Sequence, residues 1–160
     1  MTHPLWLPFT PAFIALSIAL LASPGAAAQG LSADETRSFV ETYLREHDAS
    51  MLSPDVVFID MSSGSRHEGR EAVGQMLDFM YHRAFDARFD MRHFVVGEGL
   101  ASIEGDFVGR HIGEFAGVAA TGRDVSVPLS VTYVVADDGI REARIYMLGS
   151  VMMQQLGVTR

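Results

Sequence analysis

The period at which apolar residues recur changes once along this chain, and that change limits the folds open to it. Over residues 33–47 and 69–85, on either side of a short apolar run at 56–59, apolar residues recur every three or four positions, as on one face of a helix. From residue 88 to residue 148 they mostly alternate with polar ones, as in strands with one buried face. Helices followed by strands predict an α+β fold, in which a strongly curved antiparallel sheet wraps around the N-terminal helices.

The same spacing predicts the individual elements. Ser32 and Glu35 form a capping box at the start of the first helix. Helices are expected over 33–47, 49–52 (a single turn), 69–85 and 150–156. Strands are expected over 56–59, 88–96, 100–112, 125–135 and 140–148, the last four of them forming an antiparallel meander.

The first thirty residues have the composition of a targeting segment. Residues 1–33 contain no Asp, Glu or Arg, and an apolar run over 13–22 is followed by Pro24 and by Ala26-Ala27-Ala28. This pattern predicts a signal peptide over residues 1–28, a single domain over residues 29–160, and an exported protein, periplasmic or secreted. The alternative is a retained anchor, although the run is shorter than the roughly 20 residues that span a bilayer. After cleavage no membrane contact is expected.

Three residue types are absent, and each absence excludes a class of chemistry. Without Cys there is no disulfide and no thiolate; without Lys there is no Schiff base; without Asn there is no N-glycosylation. The net charge of −8, with no basic run, argues against a nucleic-acid partner. No His, Asp or Glu residues have metal-ligand spacing, so neither a metal nor a cofactor is predicted. Carboxylates, His, Tyr, Arg and hydroxyls remain, and these suit acid/base chemistry.

Several local strings occur in a characteristic order. Residues 53–60 read S-P-D-V-V-F-I-D, residues 67–73 read H-E-G-R-E-A-V, and residues 109–118 read G-R-H-I-G-E-F-A-G-V. T-G-R follows at 121–123, D-G-I at 138–140 and Q-Q-L-G-V at 154–158. In this order they resemble the SnoaL-like polyketide cyclases of the nuclear-transport-factor-2-like superfamily. The resemblance implies a conical barrel whose helices cover an apolar pocket, a homodimer, and ring closure by aldol condensation without metal or cofactor.

The chain departs from that family at one position. The family pattern has a catalytic Asp seven residues before the Gln of the closing Q-L-G, and counting back from Gln155 gives Leu148. A hydrocarbon side chain cannot transfer a proton. If Leu148 faces the cavity, then Glu142, Arg144 and Tyr146 on the same strand face it too. In the opposite interpretation Ile145 and Met147 face the core, and Glu142 and Arg144 form a surface ladder; both interpretations stay open.

Two residues are candidates to replace the missing Asp in catalysis. His111 could act as a base or donate to a substrate carbonyl, because imidazole changes its protonation state near neutral pH. The alternative is a structural histidine at the rim of the sheet. Glu142 is the second candidate. His47 and His67, at the edges of a helix and a turn, are expected to be solvated.

Six further residues are predicted to line a ligand pocket: Tyr133, Arg144, Tyr146, Leu148, Glu114 and Asp60. For Glu114 the alternative is a loop ion pair with Arg110 or Arg123. For Asp60 the alternative is a turn residue, because it precedes a serine-rich turn.

Methionine is frequent, with eight residues after Met1. They either fill the core or form an adaptable pocket for a small hydrophobic molecule. Three functions follow as hypotheses: an exported cyclase-like enzyme acting on a small hydrophobic carbonyl compound, a non-catalytic binder of such a molecule, or a module that interacts through its open sheet face. Whether the protein is an enzyme stays open at this point.

Overall fold

The structure is a computed structural model that describes residues 30–158, so the predicted signal peptide lies outside the described residues. Its helices are α1 (Ala33–Glu46), α2 (Arg70–Asp78) and α3 (Gly149–Leu156). Its strands are β1 (Leu52–Asp60), β2 (Arg66–Glu68), β3 (Phe85–Gly97), β4 (Leu100–His111), β5 (Asp124–Ala136) and β6 (Gly139–Met147). In this part of the chain, no helix is both long enough and apolar enough to cross a membrane.

The six strands form one sheet in the order β2-β1-β6-β5-β4-β3. Strands β3 to β6 are the predicted antiparallel meander, and the α+β fold class is confirmed. The sheet is mixed, however, because β1 pairs with β6 in parallel. Strand β2, which was not predicted, is a three-residue edge strand that pairs antiparallel with β1.

Helix α1 begins and ends as its sequence predicts. The hydroxyl of Ser32 accepts from the backbone N–H of Glu35, and the Glu35 carboxylate accepts from the N–H of Ser32 at 2.9 Å. Val40 and Tyr43 are buried on the face that packs towards the sheet. The helix ends at His47, whose backbone is left-handed with a φ of 47°. That conformation turns the chain sharply towards the short 3₁₀ turn Ala49–Met51.

The second predicted helix changes its hydrogen bonding partway. After α2, residues Phe79–Arg83 form a π-helical turn, and the N–H of Ala84 donates to the carbonyl of Phe79 at 2.8 Å. Such wider turns are rare and frequently occur at functional sites. Strand β3 then starts directly at Phe85, so the helical segment is shorter than predicted.

The concave face of the sheet carries the core. In β5 every second residue from Val125 to Val135 is buried, as its alternation predicts. Inward-facing side chains of β4 and β5 pack against α1, α2 and the π-helical turn as one apolar cluster. The other face of the sheet carries the polar residues of the same strands.

Candidate functional site

A cavity of about 290 Å³ lies between the concave face of the sheet and the helices. Most of its wall is apolar, formed by Phe58, Met76, Leu77, Met80, Phe107, Phe115, Leu129, Val131, Ile145 and Met147. The polar residues in the wall are Tyr43, His47, Asp60, Ser65, His67, Tyr81 and Tyr133. An apolar cavity with a few polar groups is the usual form of a small-molecule site.

Tyr43 supplies a buried hydroxyl that has no hydrogen-bond partner among the described residues. Its ring lies edge-on to Tyr133, with 5.8 Å between the ring centroids. Burial, with a smaller contribution from Tyr81, raises the pKa of Tyr43, so its hydroxyl stays protonated and can donate. A buried donor without an acceptor costs about 1–3 kcal/mol. Tyr43 is therefore placed to donate to an acceptor on a ligand.

His47 lies one turn further along α1 and also faces the cavity. Its imidazole stacks on Tyr81 with 4.3 Å between ring centroids. Burial, with a smaller contribution from His82, lowers the pKa of His47 to about 4. The ring is therefore neutral at pH 7.

Among residues 30–158, Asp60 is the one carboxylate that lines this cavity. It ends β1, and its oxygens accept hydrogen bonds from the N–H and hydroxyl of Ser62, at 2.8 and 2.6 Å, and from the hydroxyl of Ser63 at 2.7 Å. Partial burial acts to raise the pKa of Asp60, but the hydrogen bonds from Ser62 and Ser63 outweigh it and lower the pKa. The carboxylate is ionised at neutral pH. Asp60 is both a turn residue and a pocket residue.

Strand β6 presents the opposite face from the one that the family register suggests. Ile145 and Met147 line the cavity, and the alternating residues of the strand point away from it. The structure therefore does not bring Glu142, Arg144, Tyr146 or Leu148 into the pocket. Glu142 and Arg144 pair with each other at 2.6 Å, as in the surface-ladder interpretation. Tyr146 and Leu148 are each about half exposed. The physical reason is the apolar alternation of Ala143, Ile145 and Met147.

His111 is buried in the core and does not line the cavity. Its Nδ1 accepts from the N–H of Thr121 at 3.2 Å and lies 3.0 Å from the hydroxyl of that residue. Its ring packs on Phe85 with 5.0 Å between centroids. These contacts connect the two ends of the 112–123 loop. His111 therefore has the structural role that was given as the alternative to a catalytic one.

Glu114 lies exposed on that loop, outside the cavity. The two arginines expected to pair with Glu114 have other partners. Arg110 binds Asp124 at 2.9 Å, and Arg123 donates to the carbonyl of Gln155. Of the predicted site residues, the structure brings only Tyr133 and Asp60 to the cavity.

Five polar residues of the cavity wall were not predicted as site residues: Tyr43, His47, Ser65, His67 and Tyr81. Tyr43 lies on the buried face of α1. The signal that could have found it is the pairing of Tyr43 with His47 at a spacing of four, which puts two polar rings on one helix face. No group of three or more His, Asp or Glu residues within 30–158 is arranged to hold a metal ion.

Comparisons with known proteins agree with this geometry at the level of fold and family. The sequence profile of the family described as SnoaL-like polyketide cyclase matches residues 36–156. A search of curated proteins found no match to the chain. Among solved structures, one named as a SnoaL-like polyketide cyclase from Jannaschia sp. CCS1 is 18% identical with a TM-score of 0.69, covering 78% of this chain and 93% of that one.

Two further structures share the fold. TsrD from Streptomyces laurentii is 20% identical with a TM-score of 0.64, over 79% of this chain and 95% of that one. A structure named as a ketosteroid isomerase from Kribbella flavida is 13% identical with a TM-score of 0.56, over 72% of this chain and 78% of that one. The profile match covers three quarters of the sequence. The observed sheet has the fold that the resemblance to this family predicts. This chain belongs to the SnoaL-like polyketide cyclase family.

Proposed function

We propose that this protein carries out cofactor-free acid/base chemistry on a small, mainly apolar carbonyl compound, with Asp60 as the base and Tyr43 as the donor to the carbonyl oxygen. One observation carries the proposal: an ionised carboxylate and an unpartnered, protonated hydroxyl line the same apolar cavity. Neither candidate from the sequence, His111 or Glu142, reaches that cavity.

The proposed step is enolisation. Asp60 takes the proton from a carbon next to the carbonyl, the C–H electron pair forms a carbon–carbon double bond, and the carbonyl electron pair moves to oxygen. Tyr43 stabilises the developing negative charge by its hydrogen bond. Asp60 then returns the proton to another carbon, which gives isomerisation. Alternatively the enolate carbon attacks a second carbonyl and closes a ring, the first C=O re-forms, and the new alkoxide oxygen takes the proton from Asp60. A carboxylate base and a tyrosine donor divide the work in this way in ketosteroid isomerase.

The basicity of Asp60 restricts the substrate. Hydrogen bonds from Ser62 and Ser63 lower its pKa, so it is a weak base held in one orientation. Such a base removes a proton efficiently only where the C–H is already acidified. We therefore expect a C–H flanked by a carbonyl and by a second activating group, such as another carbonyl, an alkene or an aromatic ring.

The size of the cavity restricts the substrate further. An apolar cavity of ~150 Å³ binds benzene, and this one has a volume of about 290 Å³. Three methionines in its wall, Met76, Met80 and Met147, can adjust to the ligand shape. A ligand of about two fused rings fits these dimensions.

A non-catalytic binder is the second candidate function, and one observation favours it. The strand from which the family takes its Asp contributes only Ile145 and Met147 to the cavity. A protein that had lost the family chemistry would keep the apolar pocket and show no proton transfer. In that case Asp60 would serve only the turn that Ser62 and Ser63 complete.

Proton exchange separates the two candidates. 2-Tetralone has two fused rings and a benzylic C–H next to its carbonyl, so its exchange with deuterium can be followed by NMR in D₂O. We expect the wild type to accelerate this exchange, Asp60→Asn to lose the acceleration, and the exposed matched control Asp86→Asn to keep it. Tyr43→Phe should reduce it by about 10²–10³-fold. Binding without acceleration would leave the binder as the function.

Export and dimerisation are further proposals, supported by the sequence and by the family resemblance. Mass determination of protein from the periplasm should give a chain that starts after Ala28, whereas a chain that retains residues 1–28 would contradict cleavage.

Light scattering should give the mass of a homodimer. Tyr146 and Leu148, half exposed on the outer face, are candidates for its interface.

A further inference from the structure

We infer that His47 recognises a hydroxyl group on the ligand, so that the compound taken by this cavity is a hydroxylated carbonyl compound and not a simple ketone. The inference rests on the proposed function and deepens it, because it assigns a second polar contact in the same cavity. It comes from the backbone, the ring contacts and the hydrogen-bonding capacity of His47.

The backbone of His47 is unusual for a residue with a side chain. Its φ of 47° lies in the left-handed region, where helices most often place a glycine. Among residues 30–158 the only other non-glycine residue with a positive φ is Ala116, on the 112–123 loop. An imidazole at position 47 is thus kept where glycine would be conformationally easier. In this conformation His47 lines the cavity.

The ring is held firmly in place by its neighbours. It stacks on Tyr81 at 4.3 Å and meets Tyr43 edge-on at 5.6 Å. These contacts are made by the ring faces and edges. Among residues 30–158, His111 is the one histidine whose ring nitrogens form hydrogen bonds to the protein. The neutral ring of His47 therefore has one donor and one acceptor that no described residue occupies.

The chemistry of the cavity selects which ligand group meets this ring. A carbonyl accepts only, and Tyr43 already supplies a donor for it. A carboxylate on the ligand would face Asp60 and a neutral imidazole, with no cation in the wall to offset its charge. A hydroxyl carries no charge and can both donate to and accept from His47. The site therefore fits a ligand that has a carbonyl at one end and a hydroxyl near His47.

Matched ligands test this assignment. We would measure dissociation constants for 2-tetralone and for 5-, 6- and 7-hydroxy-2-tetralone, using the full-length protein at pH 7.5. For the wild type, we expect at least one hydroxylated isomer to bind about 3–10-fold more tightly than 2-tetralone. In His47→Phe, which keeps an aromatic ring beside Tyr81, that advantage over 2-tetralone should fall to within twofold.

A second variant guards against a folding defect. His47→Asn tolerates the left-handed backbone and keeps a donor and an acceptor, so it should retain part of the preference. The inference is overturned if no isomer is preferred by the wild type, or if His47→Phe and His47→Asn weaken all four ligands equally. Failure of proton exchange with the preference intact would count against the proposed chemistry and not against His47. If none of the four ligands binds, both proposals fail.

Discussion

Tyr43 in the last turn of α1 and His47 at the residue where that helix ends both line the cavity. Asp60 reaches the same cavity from the end of β1, where Ser62 and Ser63 fix its carboxylate. Burial keeps Tyr43 protonated and His47 neutral, while hydrogen bonding keeps Asp60 charged. One site thus contains a protonated hydroxyl, a neutral imidazole and an ionised carboxylate.

The lowered pKa of His47 predicts a stability change with pH. The unfolded imidazole has a pKa of 6.5 and the folded one about 4, so the unfolded chain binds more protons between these values. The contribution of His47 to the free energy of unfolding is therefore complete above about pH 6.5 and is lost as the pH falls towards 4. Urea unfolding midpoints should drop more steeply over this range for the wild type than for His47→Asn. Parallel curves would contradict the buried, neutral assignment.

Gly105 has no room for a side chain. A Cβ there would overlap the carbonyl oxygen of Asp90 on the neighbouring strand, and would also meet the ring of Phe89. We expect Gly105→Ala to lower the free energy of unfolding by about 1–3 kcal/mol. Gly149→Ala is the control, because nothing lies within 4 Å of its added Cβ. Equal thermal midpoints for the two variants would contradict this prediction, because β3 and β4 would then accommodate the added methyl group without loss of stability.

At the scale of elements, strand β6 decides what the sheet offers to the cavity. Its alternation puts Ile145 and Met147 inside, and the Glu142–Arg144 pair outside. Whether the family carboxylate corresponds to position 147 or to position 148, this strand gives the cavity only apolar side chains. In the proposed function the polar groups therefore come from other elements: α1 supplies the hydroxyl of Tyr43 and β1 supplies the carboxylate of Asp60.

A carboxylate can be returned to the cavity from β6. We expect Met147→Asp to place one there, and to raise the rate of proton exchange in 2-tetralone when Asp60 is replaced by Asn. Leu148→Asp, on the exposed position next to it, should leave that rate unchanged in the same background. Rescue by the Asp at position 148 alone would mean that the orientation of β6 described above is wrong.

One side chain of α3 hydrogen-bonds directly to the backbone of β5. The amide of Gln155 accepts from the N–H of Ser126 at 2.8 Å and donates to its carbonyl at 2.9 Å, as a neighbouring strand would. Loss of two such bonds at a partly exposed site should cost about 1–2 kcal/mol. Gln155→Ala should therefore lower the free energy of unfolding by this amount, and the exposed control Gln154→Ala should not. An equal effect of the two would remove this role for the closing Q-L-G string.

Periodicity predicts those elements that have one buried face. It located α1 and strands β3 to β6 within a few residues, because each alternates clearly between core and solvent. It did not show β2, since three residues are too few for a pattern, nor the parallel pairing of β1 with β6, which joins distant segments. The π-helical turn at Phe79–Arg83 leaves the apolar spacing almost unchanged and was hidden for that reason.

The site was harder to predict than the fold. Tyr133 and Asp60 were placed in the pocket from the sequence, but the counting rule that gave Leu148 is shifted by one residue from the alternation that faces the cavity. A shift of one residue in a strand moves a side chain to the opposite face. His47 was expected in solvent because it lies at the end of the helix, but in the structure it lines the cavity.

At the scale of the whole molecule, the curved sheet and two helices enclose a cavity with one carboxylate, one unpartnered hydroxyl and otherwise mostly apolar walls. No single element contains this arrangement: α1 supplies Tyr43, β1 supplies Asp60, and β4 to β6 supply much of the apolar surface. In the proposed function, Asp60 acts on a molecule that the remaining elements hold in place.

The most direct measurement is the rate of deuterium exchange at the benzylic carbon of bound 2-tetralone, in wild type and in Asp60→Asn, with the affinity of each determined in the same buffer. We predict similar affinities and a rate about 10²–10⁴-fold lower in Asp60→Asn, the range typical for loss of a general base. Equal rates in the two proteins at saturating 2-tetralone would contradict the assignment of Asp60 as the base.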